Sequence, residues 1–236
     1  MHKIKAIAFD IDNTLYPTAE FIKLARSSAI TAMIAAGLKK DRKKVEEKLS
    51  KIIRKHSSNF PHHYDILLKE FRIKERERNK LIAHAVHAQH NAKLILQPYP
   101  DVPATLVRLR DEGFRLYAAS DGFAVKQNEK LIRTGLFYKF HDIFITQDLK
   151  CPKNEDFFRK IIKLTGISAE NFAMVGDRLD SDIKPAKKVG MHTIRILRGP
   201  YAAMGDDEGV GILADIELDD FTSLVEKLKG LCYAVK

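Results

Sequence analysis

The 236-residue chain contains only two cysteines, Cys151 and Cys232. They form no zinc set and no disulfide framework, as expected for a reducing compartment. No apolar run reaches the ~18 residues of a membrane span. The opening MHKIKAIAFD also lacks the long apolar core and small-residue cleavage site of a secretory signal. A membrane protein or an exported one is not expected, and a cytoplasmic location is. Internal repeats and low-complexity tracts are missing too, which removes repeat arrays from consideration. What remains is the composition of an ordinary soluble protein, 45% hydrophobic and 31% charged, long enough for one large domain or a domain with an insertion.

The formal net charge of +10 is confined to one block. Residues 16–97 hold 18 Lys/Arg against 8 Asp/Glu, while the rest of the chain is balanced at 23 of each. A block that carries the whole excess is expected to be a separate unit. A basic helical face can serve as a solvated surface, as a field that steers an anionic small substrate, or as a nucleic-acid contact. Acids interspersed in VEEKLSKIIRK favour the first of these, and a nucleic-acid partner is not expected.

Five apolar segments read as buried strands: 4–11, 115–120, 142–146, 171–176 and 191–197. Helical patterns follow the later ones (FAVKQNEKLIRTG, NEDFFRKIIKLTG, LDSDIKPAKKVG), each closed by a glycine suited to a helix C-terminus. Alternating strands and helices with apolar strands predict an α/β fold, a Rossmann-like parallel sheet with helices on both faces. The stretch between the first strand and DVPATLVRLRDEG holds no strand pattern. It reads as four amphipathic helices, one with Ile22, Ala25, Ala29, Ala32 and Ala36 on a face and the next with Val45, Leu49, Ile52 and Ile53. The prolines of QPYPDVP mark the return. The expected organisation is therefore a core of 1–15 and 98–236 with an all-helical cap of 16–97. Near the C-terminus, GDDEGVGILADIELDD predicts an acidic turn, a short edge strand and the start of a last helix.

Polar residues gather at three predicted strand ends: Asp10 and Asp12 at the first, Ser120 at the second, and Asp177, Asp180 and Asp182 after the fourth. Ligands of open parallel sheets bind at the carboxyl ends of the strands. Adjacent buried carboxylates need compensation, and a hard divalent cation such as Mg²⁺ supplies it through oxygen ligands. Turn or cap aspartates account for one such residue, not for three. Asp180 reads as a cap or surface residue, and Asp182 also suits an early helical position. His84, His87 and His90 recur every third residue, which lacks the i, i+4 pairing of helical zinc motifs and suggests surface or core histidines.

With these residues in order, DIDNTLY resembles the DxDx[TV] signature of the haloacid dehalogenase-like hydrolases, ASDG their second motif and GDRLDSD their fourth. The helical insertion resembles the cap of subfamily I. LARSSAITAMIAAGL, NFPHHYDILL and SDGFAVKQNEKLIRTGL are similar to an archaeal branch of small-phosphate phosphatases. The resemblance implies a Mg²⁺-dependent phosphomonoesterase for a sugar or triose phosphate, in which Asp10 is the nucleophile and Asp12 the general acid and base. It further implies a metal held by Asp10, the backbone carbonyl of Asp12 and Asp177, with Asp182 in support, and a phosphate cradle of Thr14, Ser120, Asp121 and Gly122. The third motif departs from the pattern, because LKCPKNEDFF places Cys151 where the lysine belongs. Lys153 or Lys150 must stand in, and Lys153 needs only a one-residue contraction before FFRKII. Cys151 itself reads as an inert thiol. A phosphomutase or a dehalogenase of the same fold, or a noncatalytic nucleic-acid binder, are the alternatives. Asp12 and Asp177 argue against a dehalogenase, whose halide leaves without a proton. Substrate choice is expected to come from cap side chains, and the assembly is expected to be a monomer or homodimer.

Overall fold

The computed structural model describes residues 4–56, 60–203 and 213–231. Cys232 and the acidic GDDEG turn lie outside them. Two compact units are present, one running to Ala19 and resuming at Gln97, the other spanning Glu20–Leu96. The first boundary falls later than residue 15 because Tyr16 and Thr18 both donate hydrogen bonds to the Asp12 side chain.

The first unit is built on six strands: β1 (Ala6–Phe9), β2 (Arg115–Ser120), β3 (Asp142–Ile145), β4 (Phe172–Gly176), β5 (His192–Ile196) and β6 (Ile216–Leu218). Their spatial order is β3-β2-β1-β4-β5-β6, and every pairing is parallel. The expected parallel α/β sheet is therefore observed, and β6 is the short edge strand read from ADIELDD. Because β1 has β2 on one side and β4 on the other, the winding direction reverses at its carboxyl end, where such sheets bind ligands.

Alternation along β1 sends Ala6 and Ala8 to one face and Ile7 and Phe9 to the other. Ala6 and Ala8 join a buried cluster with Tyr117, Phe144, Phe172 and Met174, onto which Phe157, Phe158 and Ile161 of an apolar helical stripe pack. On the opposite side Phe9 lies 5.7 Å from Phe221, ring to ring. The helices of this unit, after the cap helices α1–α4 given below, are α5 (Val102–Asp111), α6 (Ala124–Arg133), α7 (Thr146–Leu149), α8 (Glu155–Thr165), α9 (Lys184–Lys188) and α10 (Leu224–Leu231). Helix α8 starts at Asn154, whose side chain accepts from the backbone N–H groups of Asp156 and Phe157, and it stops at Gly166 with φ of 67°. LDSDIKPAKKVG is not one α-helix. Leu179–Ile183 forms a π-helical turn, in which the Ile183 N–H donates to the Arg178 carbonyl, and only Lys184–Lys188 is α-helical. The wide turn follows from Arg178 and Asp182 bonding to each other, since the Arg178 N–H donates to the Asp182 carboxylate at 3.1 Å.

The second unit comprises α1 (Thr18–Ala35, its first two residues in the core unit), α2 (Arg42–His56), α3 (His63–Glu70) and α4 (Glu75–Ala92). Ala29, Ile30, Met33, Val45, Leu49, Ile52, Leu67, Leu68, Leu81 and Ala85 form its core. Of the face expected on α1, Ala25 and Ala29 are buried and Ala36 is exposed, because the helix ends before it. Exposed pairs Arg42–Glu46 and Lys48–Glu70 engage part of the basic excess on the surface. His84, His87 and His90 are exposed. Phe60 stacks on His56 at 4.9 Å and meets His62 and His63 edge-on at 5.5 Å each. No helix among the described residues is long and apolar enough to cross a membrane.

Phe157 and Phe158 carry much of the α8–sheet contact and are fully buried, their rings 5.5 Å apart in a T arrangement. Phe157→Ala is expected to cost about 3–5 kcal/mol, read as a lowered midpoint in urea with an unchanged slope.

Candidate active site

The end of β1 delivers Asp10, whose N–H is held by the Val175 carbonyl of β4 at 2.9 Å. The next turn is closed by Asn13 N–H to the Tyr16 carbonyl (3.0 Å) and Leu15 N–H to the Ile11 carbonyl (3.1 Å), with Asn13 in a left-handed conformation. Arg198 braces this turn from behind. Its guanidinium pairs with Asp101, donates to the Thr14 carbonyl at 3.4 Å and lies 4.1 Å from the Tyr99 ring centroid.

Of the two lysines considered for the third motif, Lys153 is the one that lies beside the acidic cluster. It is buried, with its ammonium 2.6 Å from both the Asp10 and the Asp182 carboxylates. Pro152 and the Asn154 cap fix the backbone on either side, so the lysine enters the site directly before α8. Lys150 is exposed and caps α7 in a left-handed conformation. Cys151 is half-buried against the apolar cluster, less enclosed than the buried thiol expected.

Asp10, Asp177 and Asp182 each present an oxygen within 4.8 Å of the others, and they are the set of metal-ligating character found among the described residues. Gly176 makes this approach possible. A Cβ there would contact the Asp182 carboxylate oxygen and sit 2.6 Å from its Cγ. Three carboxylates against the one ammonium of Lys153 leave two negative charges uncompensated. Burial drives the Asp10 carboxyl up to about 7, with Asp182 and Asp12 adding to the rise and Lys153 opposing it. Burial, then the charges of Asp10 and Asp182, carry Asp177 up to about 8. Burial works against the Lys153 charge, yet its two carboxylates raise it well above an ordinary lysine. One buried oxygen of Asp177, Oδ2, has no hydrogen-bond partner. An all-oxygen donor set, a deficit of two positive charges and an orphaned oxygen fit a hard divalent cation.

Asp12 stands apart from this cluster. Its carboxylate takes hydrogen bonds from Tyr16 (2.8 Å), Thr18 (2.7 Å), Gln127 (3.0 Å) and Lys130 (2.6 and 2.8 Å). Burial disfavours its charge, but Lys130 and the hydrogen bonds outweigh that and hold the carboxyl below the usual range. Of the expected cradle, Thr14 and Ser120 are buried, and the Thr14 Oγ1 is unpartnered. Ser120 accepts from Gln127 at 3.1 Å. The Gly122 N–H donates to the Thr146 hydroxyl, which donates in turn to the exposed Asp121 carboxylate at 2.6 Å. Asp180 pairs with Arg178 outside the cluster. Gln127, Lys130 and Thr146 escaped the sequence reading, because on an amphipathic pattern they are indistinguishable from surface polar residues. A polar i, i+3 pair one turn beyond Ser120 was the available signal.

The family model for haloacid dehalogenase-like hydrolases matches residues 4–190. The chain belongs to that family. Among family relatives, a glyceraldehyde 3-phosphate phosphatase of Methanopyrus kandleri is 42% identical over 97% of this chain and 98% of its own. The protein of the same name from Methanocaldococcus jannaschii is 40% identical over the same shares. A crystal structure of a haloacid dehalogenase-like phosphatase from Thermococcus onnurineus superposes with a TM-score of 0.66 at 26% identity, covering 96% of this chain and 98% of that one. The archaeal phosphatase branch expected from the motifs is thus the branch to which this family member is similar.

Two outcomes follow from the acidic cluster. In chelator, Asp10 and Asp177 retain protons in the folded state that the unfolded chain releases near pH 4, so stability is expected to fall as pH rises through about 7 and 8. The thermal midpoint at pH 8.5 should lie below that at pH 5.5, and the increment from added Mg²⁺ should grow with pH. Gly176→Ala should displace Asp182 and weaken Mg²⁺ binding by about tenfold or more, measured by titration calorimetry.

Proposed function

We propose that the chain is a Mg²⁺-dependent phosphomonoesterase of small phosphorylated metabolites, with glyceraldehyde 3-phosphate as the first substrate to test. The observation that carries this reading is the buried set of Asp10, Asp177 and Asp182, two of which, Asp10 and Asp182, pair with Lys153, with a separately bonded Asp12 two residues from Asp10. The relatives' shared name supports the choice of a triose phosphate.

Asp10, Asp177 and Asp182 would hold Mg²⁺, together with the backbone carbonyl of Asp12. When bound, the cation supplies positive charge that lets an anionic nucleophile approach an anionic ester. Lys153 orients the Asp10 carboxylate and keeps a permanent positive charge beside it. One Asp10 oxygen bonds to phosphorus as the ester bond breaks, and the electron pair of that bond leaves on the ester oxygen. Asp12, which Lys130 and its hydrogen bonds hold ionised in the free chain, would take up a proton as the phosphate dianion binds and give it to that oxygen, returning to the carboxylate. Water then attacks the aspartyl-phosphate while Asp12 takes a proton back, and inorganic phosphate leaves with Asp10 restored. Thr14 and Ser120, with the backbone N–H groups beside them, are placed to receive the phosphoryl oxygens. A chain that merely bound nucleic acid would require none of this constellation.

Phosphate release from a panel of phosphorylated metabolites, ranked by kcat/KM with Mg²⁺, tests the reading. Glyceraldehyde 3-phosphate is expected near the top, and no release from any ester would refute it. Asp10→Asn should abolish turnover while retaining the fold by circular dichroism. Lys153→Ala should lose well over about tenfold in kcat, and Lys150→Ala should match the parent enzyme.

A further inference from the structure

We propose that Lys130, assisted by Gln127, is the positioning residue for proton delivery by Asp12, an assignment that rests on the phosphatase reading above. Both side chains lie on α6, three residues apart and therefore on one helical face. Tyr16 and Thr18, from the loop that carries Asp12, donate only to Oδ1. The donors to Oδ2 come from α6 alone, Gln127 at 3.0 Å and Lys130 at 2.8 Å. Without them one oxygen would be tethered and the other free to swing, so α6 sets the plane of the carboxylate. Gln127 also donates to the Asp121 carbonyl at 2.5 Å and to the Ser120 hydroxyl at 3.1 Å, which ties the proton carrier to the loop expected to receive the phosphoryl group.

Lys130 has a second effect on the same step. As the P–O bond breaks and the ester oxygen takes the proton, Asp12 is left as a carboxylate, and an ammonium 2.6 Å away stabilises the charge that appears there. Lys130 neither touches phosphorus nor gives up its own proton. Its ring neighbour Tyr16, whose centroid lies 5.7 Å from Nζ, helps to fix it. The side chains of the pair are 26% and 31% exposed, and Lys130→Met enters the test once its circular dichroism spectrum matches that of the parent.

Proton delivery matters for an alkoxide leaving group and hardly at all for p-nitrophenolate. The test is single-turnover release of the leaving group by Lys130→Met with Mg²⁺, from glyceraldehyde 3-phosphate and from p-nitrophenyl phosphate. Release from the alkyl ester is expected to fall by about tenfold or more, with release from the aryl ester within about twofold of the parent. Gln127→Leu should show the same bias more weakly, and Lys130→Arg should recover part of the alkyl-ester rate. Equal losses on both esters, or none on either, would overturn the positioning role while leaving the phosphatase reading intact. A parent enzyme silent on both esters and on every other ester of the panel would overturn the phosphatase reading and this assignment with it.

Discussion

The structure depends on charge compensation around one buried ammonium. Lys153 touches Asp10 and Asp182 at 2.6 Å, and Asp177 completes the acidic cluster from the end of the neighbouring strand. Carboxylates at this density would repel and desolvate each other out of the charged state if nothing offset them. The lysine offsets part of the charge and a divalent cation suits the remainder. Requirements elsewhere follow from this arrangement: a glycine at 176 so that Asp182 can approach, a wide turn at 179–183, and an N-capped helix that starts directly after the lysine.

A division of labour follows from where the two aspartates of DID end up. Asp10 faces the acidic cluster, where burial raises its carboxyl. Asp12 faces α6, where Lys130 and Gln127, helped by Thr18 near its own loop, lower it. Two carboxylates one residue apart thereby acquire opposite environments from opposite sides of the strand end. The separation gives the two carboxylates different chemistry, and a divalent cation on the Asp10 side would return that carboxyl to its charged form.

Much of this was legible in the sequence, for physical reasons that can be named. Apolar runs at βα spacing revealed five of the strands, and the sixth followed from the alternation in ADIELDD. Strand-end aspartates stood out because carboxylates beside apolar runs are costly. The third motif was ambiguous, since Lys150 and Lys153 differ only in backbone geometry: a left-handed cap turns one outward, and a proline and an asparagine cap turn the other inward. The helix after the fourth motif was overextended, because helical periodicity does not register the Ile183 N–H bond to the Arg178 carbonyl that makes Leu179–Ile183 a π turn. Lys130 and Gln127 carried only the faint signal of a polar i, i+3 pair on a helix. Their partner lies more than a hundred residues away, and a lysine on an amphipathic helix carries no mark of what it faces.

The Asp10–Lys153 pair spans 143 residues of sequence, with the entire helical insertion and two strands between its members. During synthesis Asp10 therefore leaves the ribosome long before Lys153, and β4, which brings Asp177, follows later still. Nascent and half-built forms hold an isolated aspartate at the end of an unpaired strand. The acidic cluster is complete only when β4 pairs with β1.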